Sequence, residues 1–176
     1  MTMELPEALD LPVREARMRA LRDDDWVLDR DLSRVPDVPR WTYYPADLSA
    51  ERAREWVAHS LAVRADRRGG RFVVEVGGAP VGTVGITLRP DGPSVYYAFL
   101  PAGRGGGLAT ESVRAVARWA LADGAPHVDA RTMVENVPSE RVLERAGFRR
   151  RGLDVGPDGV QLTCWRLARD RQPTKQ

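Results

Sequence analysis

Arg104-Gly105-Gly106-Gly107-Leu108-Ala109 is the stretch on which the fold turns. It follows an apolar run, Val95 to Leu100, and opens directly into a long helical pattern. Three successive glycines let the backbone turn tightly and approach a ligand with no Cβ in the way. The first N–H groups of a helix have no intrahelical partner, and that end of its dipole is positive, so phosphate groups settle there. The order strand, glycine loop, helix therefore predicts a seat for a phosphorylated cofactor.

Two familiar phosphate loops do not fit. A P-loop needs Lys-Ser/Thr after its last glycine, but this loop ends Leu108-Ala109 and the single lysine is Lys175. A dinucleotide fingerprint needs Gly-x-Gly-x-x-Gly, and Thr110 stands where the third glycine belongs. The pattern that remains is Arg/Gln-x-x-Gly-x-Gly/Ala, here Arg104-x-x-Gly107-x-Ala109. Downstream lies Asn136-x-x-Ser139-x-x-Val142-Leu143-Glu144-Arg145-x-Gly147-Phe148. On these residues the chain resembles the GCN5-related N-acetyltransferase (GNAT) superfamily, whose acetyl-CoA pyrophosphate loop has the first pattern. The second resembles the RimJ/RimL-like branch, which acetylates ribosomal-protein N-termini. Either motif alone is an ordinary glycine turn or a helix C-cap with a core aromatic. Their order and spacing carry the resemblance, which extends over residues 12–168 and is sharpest from Tyr97 to Phe148.

A length of 176 residues suits one domain with a sizeable core. With 43% hydrophobic and 30% charged residues, the composition is that of a soluble globular protein. A net charge of +2 gives no reason to expect nucleic acid. Cys164 is the single cysteine, which excludes an intrachain disulfide. Glu4, Glu7 and Asp10 interrupt the start of the chain, so no signal peptide is read, and no apolar run approaches a membrane span. A cytoplasmic protein with no membrane partner is expected.

Residues 1–11 read as a loose lead-in, 12–168 as the acetyltransferase domain and 169–176 as a polar tail. Val13–Leu21 reads as an edge strand, and Asp23-Asp24-Asp25 as the acidic start of a short helix. Pro36, Pro39 and Pro45 break the chain around Trp41, Tyr43 and Tyr44 before a helix opens at Ser49. Arg71–Val76 and Val81–Leu88 form a hairpin through Gly77-Gly78, followed by a strand Val95–Phe99. Ala109–Leu121 is helical, with Val113, Val116, Ala117 and Ala120 on one side. A strand Val128–Val134, a helix Pro138–Arg145 and two strands, Phe148–Leu153 and Val160–Leu167, complete the domain. This order predicts an α/β (α+β) domain with a mixed, mostly antiparallel sheet and helices on both faces.

The resemblance implies that the sheet splits between its fourth and fifth strands, Val95–Leu100 and Val128–Val134. Pantetheine would pair there with the main chain of Phe99 and Leu100. The wrap around the pyrophosphate would run through Arg104, Gly105, Gly106, Gly107, Leu108, Ala109 and Thr110. Asn136 is either a pantetheine ligand or a turn residue, and Arg145 either reaches the adenosine 3′-phosphate or lies on a solvated helix face.

Acetyl transfer needs a neutral amine, a stabilised oxyanion and a proton for the leaving thiolate. An N–H near Phe99 is the candidate oxyanion donor. Many relatives carry a tyrosine seven residues after the asparagine, but Leu143 stands there. Ser139 becomes the candidate acid, acting by hydrogen bonding or proton relay, with helix capping as its structural alternative. Glu75, Tyr97 and Glu135 are candidate bases, water being the alternative. Trp41, Tyr44 and Tyr97 are candidate acceptor contacts, with Tyr43 and Trp56 in the same wall. No metal site is read. The expected reaction is acetyl-CoA-dependent acetylation of a primary amine, either a protein N-terminus or a small molecule such as an antibiotic or polyamine. The alternative is an acyl-CoA-binding module without turnover. An exposed strand near the C-terminus allows a homodimer.

Overall fold

The computed structural model of the chain describes residues 3–13 and 15–169. Period-two alternation gives the sheet two working faces. In β3 (Gly69–Val76), Phe72 and Val74 enter one apolar core while Val73 enters another. β4 (Ala79–Thr87) adds Val84 and Ile86 to the first core. The Gly77-Gly78 turn between them has φ of 57° and 84°, the left-handed pair that a two-residue hairpin demands. β5 (Ser94–Phe99) sends Val95 and Phe99 to the first core and Ala98 to the second.

Helices cover both faces. Along α4 (Leu108–Ala122) the expected stripe Val113, Val116, Ala117 and Ala120 is wholly buried in the first core. Leu143 and Ala146 of α5 (Val137–Ala146) join it. On the opposite face, α1 (Trp26–Ser33), α2 (Asp37–Trp41) and α3 (Ala50–Ala65) bring Leu28, Leu32, Val38 and Val57 against Val73 and Ala98.

The remaining strands are β1 (Ala8–Asp10), β2 (Ala16–Ala20), β6 (His127–Met133), β7 (Arg149–Val155) and β8 (Gln161–Ala168). The sheet order is β1-β2-β3-β4-β5-β6-β8-β7. Every neighbouring pair is antiparallel except β5–β6, which is parallel and registers only at Ser94↔Asp129 and Val95↔Ala130. Past those two rungs the strands part. The expected split is present, and it falls between the fifth and sixth strands because β1 precedes the meander.

Two local readings change. The lead-in is not loose: β1 pairs with β2, and Met3 and Leu5 are buried. A three-residue strand is too short for alternation to reveal. The proline-broken stretch holds α2, because Pro36 sits at its N-cap and Pro39 within its first turn, where no helical N–H is needed. The tail beyond Arg169 lies outside the described residues.

Candidate active site

Gly105, Gly106 and Gly107 have φ of 81°, 59° and 79°. No atom lies within 4 Å of where a Cβ on any of them would sit. Glycine is therefore required for the backbone's hand, and the space above the turn stays open. The first helical bond runs from Glu111 N–H to the Gly107 carbonyl, at 2.9 Å. Among the described residues no acceptor meets the N–H groups of Gly105, Gly106, Gly107, Ala109 or Thr110. Leu108 is engaged differently, its N–H reaching the Gly105 carbonyl and its side chain the core. A run of unclaimed donors at the N-terminus of a fifteen-residue helix fits a diphosphate.

Arg104 does not join them. Its N–H goes to Pro101 O at 3.2 Å. Its guanidinium donates to the Phe99 carbonyl at 3.1 and 2.9 Å and grips both carboxylate oxygens of Asp37 at 2.7 and 2.9 Å. The guanidinium thus braces the loop, β5 and α2.

The β5 edge of the split is set by register. Phe99 lies opposite Gly82, and Leu100 N–H donates to Val81 O at 2.9 Å. That makes Phe99–Gly82 a non-hydrogen-bonded pair, so both main-chain groups of Phe99 face away from β4, into the split. Leu100 departs from expectation: its N–H serves β4, and its side chain packs against the α1–α3 core. A Cβ at Gly82 would lie 2.3 Å from the Phe99 ring, so a glycine there is what lets Phe99 lie flat on the sheet.

Across the split, Asn136 caps α5, its Oδ1 accepting the Ser139 N–H at 3.3 Å. Asn136 is therefore the cap, and Ser139 contributes the capped N–H while its hydroxyl stays out of the capping. The cap also aims the serine. Its Oγ lies 2.5 Å from the Tyr97 hydroxyl, which also reaches the Ser139 carbonyl at 3.1 Å. Burial pushes the Tyr97 phenol up to about 12, against the opposing hydrogen bond from Ser139. A phenol held protonated has no site for a substrate proton, which corrects the expectation of Tyr97 as a base.

Glu75 is also corrected. It is buried, and its carboxylate receives Arg17 Nε at 2.5 Å and Arg19 Nε at 2.7 Å, while Arg19 also grips Asp25. Burial pushes the carboxyl up, but hydrogen bonds from Arg17 and Arg19 outweigh it and the pKa lies below the ordinary value. Such a group holds no affinity for a substrate proton. Its depressed pKa contributes stability that is complete above the unfolded value of about 4.3 and is lost as pH falls through the native one. Glu75→Gln is expected to lower the melting temperature and to leave turnover per folded molecule unchanged. A parallel loss of turnover, measured beside a melt, would return Glu75 to the chemistry.

Tyr44 faces inward. Its hydroxyl donates to Asp29 Oδ1 and accepts from Arg71 at 3.0 Å, and its ring packs on Trp56 at 5.8 Å. Burial pushes its pKa up. It supports the acceptor wall from beneath and is not free to touch a substrate. Trp41, at the end of α2, is half-buried, with the Arg40 guanidinium 4.7 Å from its ring centroid. Tyr43 is exposed, its hydroxyl close over Gly156 of the β7–β8 turn, so the loop after α2 reaches that hairpin. Tyr96 was missed: it points to the α1–α3 face, lies over Gly85 and is 44% exposed. Its place beside Tyr97 on a strand was the available signal.

Arg145 is exposed, beside Arg114, Arg118 and Arg169 in a cavity of about 410 Å³ behind α4 and α5. Glu135 is exposed, at φ 73°. His127 is held at the Asp91 carbonyl, 3.1 Å away, and His59 is exposed on α3. Among the described residues no helix is long and apolar enough to cross a membrane.

A family model described as an acetyltransferase (GNAT) domain matches residues 16–149. No curated protein sequence matches the chain. Among solved structures, the chain is similar to a RimL ribosomal L7/L12 α-N-protein acetyltransferase in complex with coenzyme A. The two are 14% identical with a TM-score of 0.84, over 94% of this chain and all of that one. Mycobacterium smegmatis RimJ, in complex with CoA-disulfide, is 21% identical with a TM-score of 0.75, over 95% of this chain and 88% of its own. An aminoglycoside acetyltransferase AAC(6')-Ib in complex with coenzyme A is 20% identical with a TM-score of 0.73, over 88% and 95%.

Proposed function

The chain belongs to the GNAT acetyltransferase family and is an acyltransferase that uses acetyl-CoA; from that premise we propose that it acetylates a primary amine, in the manner of the RimJ/RimL-like branch. The acceptor is a protein N-terminus or a small-molecule amine. The observation that supports this reading is the pairing of Ser139 Oγ and Tyr97 hydroxyl at 2.5 Å, with Tyr97 on the same strand as the split-facing main chain of Phe99.

Gly105, Gly106, Gly107, Ala109 and Thr110 would hold the diphosphate through main-chain N–H groups, and Phe99 would hold the pantetheine arm through its split-facing edge. Acetyl-CoA, when bound, supplies a thioester carbonyl open to attack by an amine. The Phe99 N–H, turned away from β4, would be the donor for an oxyanion formed there. Ser139, backed by Tyr97, would donate a hydrogen bond or relay a proton to the departing thiolate, the pair regaining that proton from water. Because the Tyr97 phenol stays protonated at neutral pH, the pair is loaded as a donor before any reaction begins. With Glu75 held by Arg17 and Arg19, the amine proton would leave to water or to the exposed Glu135.

Calorimetry with coenzyme A, followed by thiol release from acetyl-CoA across a panel of peptides and small amines, tests this reading. Binding with amine-dependent thiol release is the expected result. Binding with no release from any amine makes the chain an acyl-CoA carrier; no binding at all removes the reading. Gly107→Val is expected to weaken coenzyme A at least tenfold, because a β-branched residue resists the left-handed conformation and tilts the donor run away. Unchanged affinity in a folded variant would show that the turn does not seat the diphosphate.

A further inference from the structure

Arg104 and Asp37 are 67 residues apart in sequence, yet they form a two-pronged ion pair. The same guanidinium donates twice to the Phe99 carbonyl. That carbonyl faces the split, on the edge left unpaired once β5 and β6 part. One end of the brace therefore stands on the cofactor side. The other stands on α2, whose last residue is Trp41 and whose following loop carries Tyr43 to the β7–β8 turn. Asp37 has no other side-chain partner among the described residues. The Arg104 hydrogen bond holds its carboxyl below the ordinary range.

We propose that Asp37 is a positioning residue that, through Arg104, ties the acceptor wall carried by α2 to the cofactor-facing edge of β5. A group that pairs with Phe99 must share its carbonyl with Arg104 or displace the guanidinium from it. Either way the guanidinium moves or tightens, and a bidentate partner follows it. Filling the split is thereby reported to Trp41, and an arranged Trp41 wall is reported back to the split, as reciprocal coupling requires. A carboxylate is needed because an amide offers one acceptor oxygen and no charge, so it cannot match the planar fork. The inference rests on the proposed acetyltransferase reading.

Trp41 supplies the readout, because it stands half-buried at the end of α2 and its surroundings change with the setting of that helix. Its signal is the difference between the chain and Trp41→Phe. Coenzyme A is titrated into both, and into Asp37→Asn, Asp37→Glu and Arg104→Gln, with calorimetry on each. The expected result is a Trp41 response in the parent chain and in Asp37→Glu, but none in Asp37→Asn or Arg104→Gln, although Asp37→Asn still binds coenzyme A. With an amine accepted in the panel, Asp37→Asn should raise the amine KM about fivefold with kcat held within twofold. The same change in an Arg104→Gln background should add nothing. Coenzyme A binding with no Trp41 response in the parent, or with a response that survives Asp37→Asn, overturns the coupling and leaves the acetyltransferase reading standing. No binding in the parent overturns both.

Discussion

Asp29→Ala is expected to destabilise the fold by about 3–5 kcal/mol, the range for removing one partner of a buried ion pair. Asp29 is fully buried and Arg71 is 3% exposed, joined by bonds of 2.9 and 2.6 Å. Truncating the carboxylate strands a guanidinium whose Nε already has no partner, and takes the Tyr44 hydroxyl's acceptor away as well. For a domain of this size the melting temperature should fall by roughly 6–20 °C. The double variant Asp29→Ala/Arg71→Met should recover most of that loss, because the uncompensated charge leaves with its partner. If Asp29→Ala melts within a degree or two of the parent, water reaches Arg71 and the pair is not the keystone of the α1–α3 face. The loss should extend to the acceptor wall, since Tyr44 lies on the same carboxylate.

Ser139→Ala is expected to lower kcat roughly a hundredfold, the lower end of general acid catalysis, with coenzyme A affinity held within twofold. The serine's N–H still reaches Asn136 in the variant, so α5 keeps its cap and the fold its stability. The effect is confined to the hydroxyl and its 2.5 Å contact with Tyr97. Tyr97→Phe should fall in the same direction by a smaller factor, and the double variant should be no worse than Ser139→Ala alone, because the two hydroxyls act as one unit. With its phenol pushed up to about 12, Tyr97 should cause no fall in rate from pH 7 to 10. Full activity in Ser139→Ala, assayed on an accepted amine, would assign the thiolate's proton to water.

The glycine loop and the α4 stripe were readable because each is local. Three adjacent glycines state a backbone hand, and valines and alanines at helical spacing state a buried face. The split edge followed from the same local order, through the family resemblance. What escaped was built by long-range pairs. Asp29 with Arg71, 42 residues apart, holds the Tyr44 hydroxyl and makes that half-buried ring a prop. Arg104 with Asp37 gave a residue read as a phosphate ligand a bracing role. Arg17 and Arg19 with Glu75 turned a candidate base into a structural carboxylate. In each case the chemistry of the side chain was legible and its partner was not, and the partner decides the role. Tyr96 was hidden differently: adjacent tyrosines on a strand face opposite ways, and the visible pattern drew attention to one.

The two-rung seam between β5 and β6 makes the sheet a pair of antiparallel blocks, β1 to β5 and β6 to β8, hinged along a nearly bare line. One apolar core joins the blocks, with Val95 and Phe99 on one side, Val128, Ala130 and Trp165 on the other, and α4 and α5 over both. Opening the blocks along the seam is expected to cost less than global unfolding. Whatever lodges between them serves as missing rungs, so occupancy and resistance to proteolysis rise together by mass action.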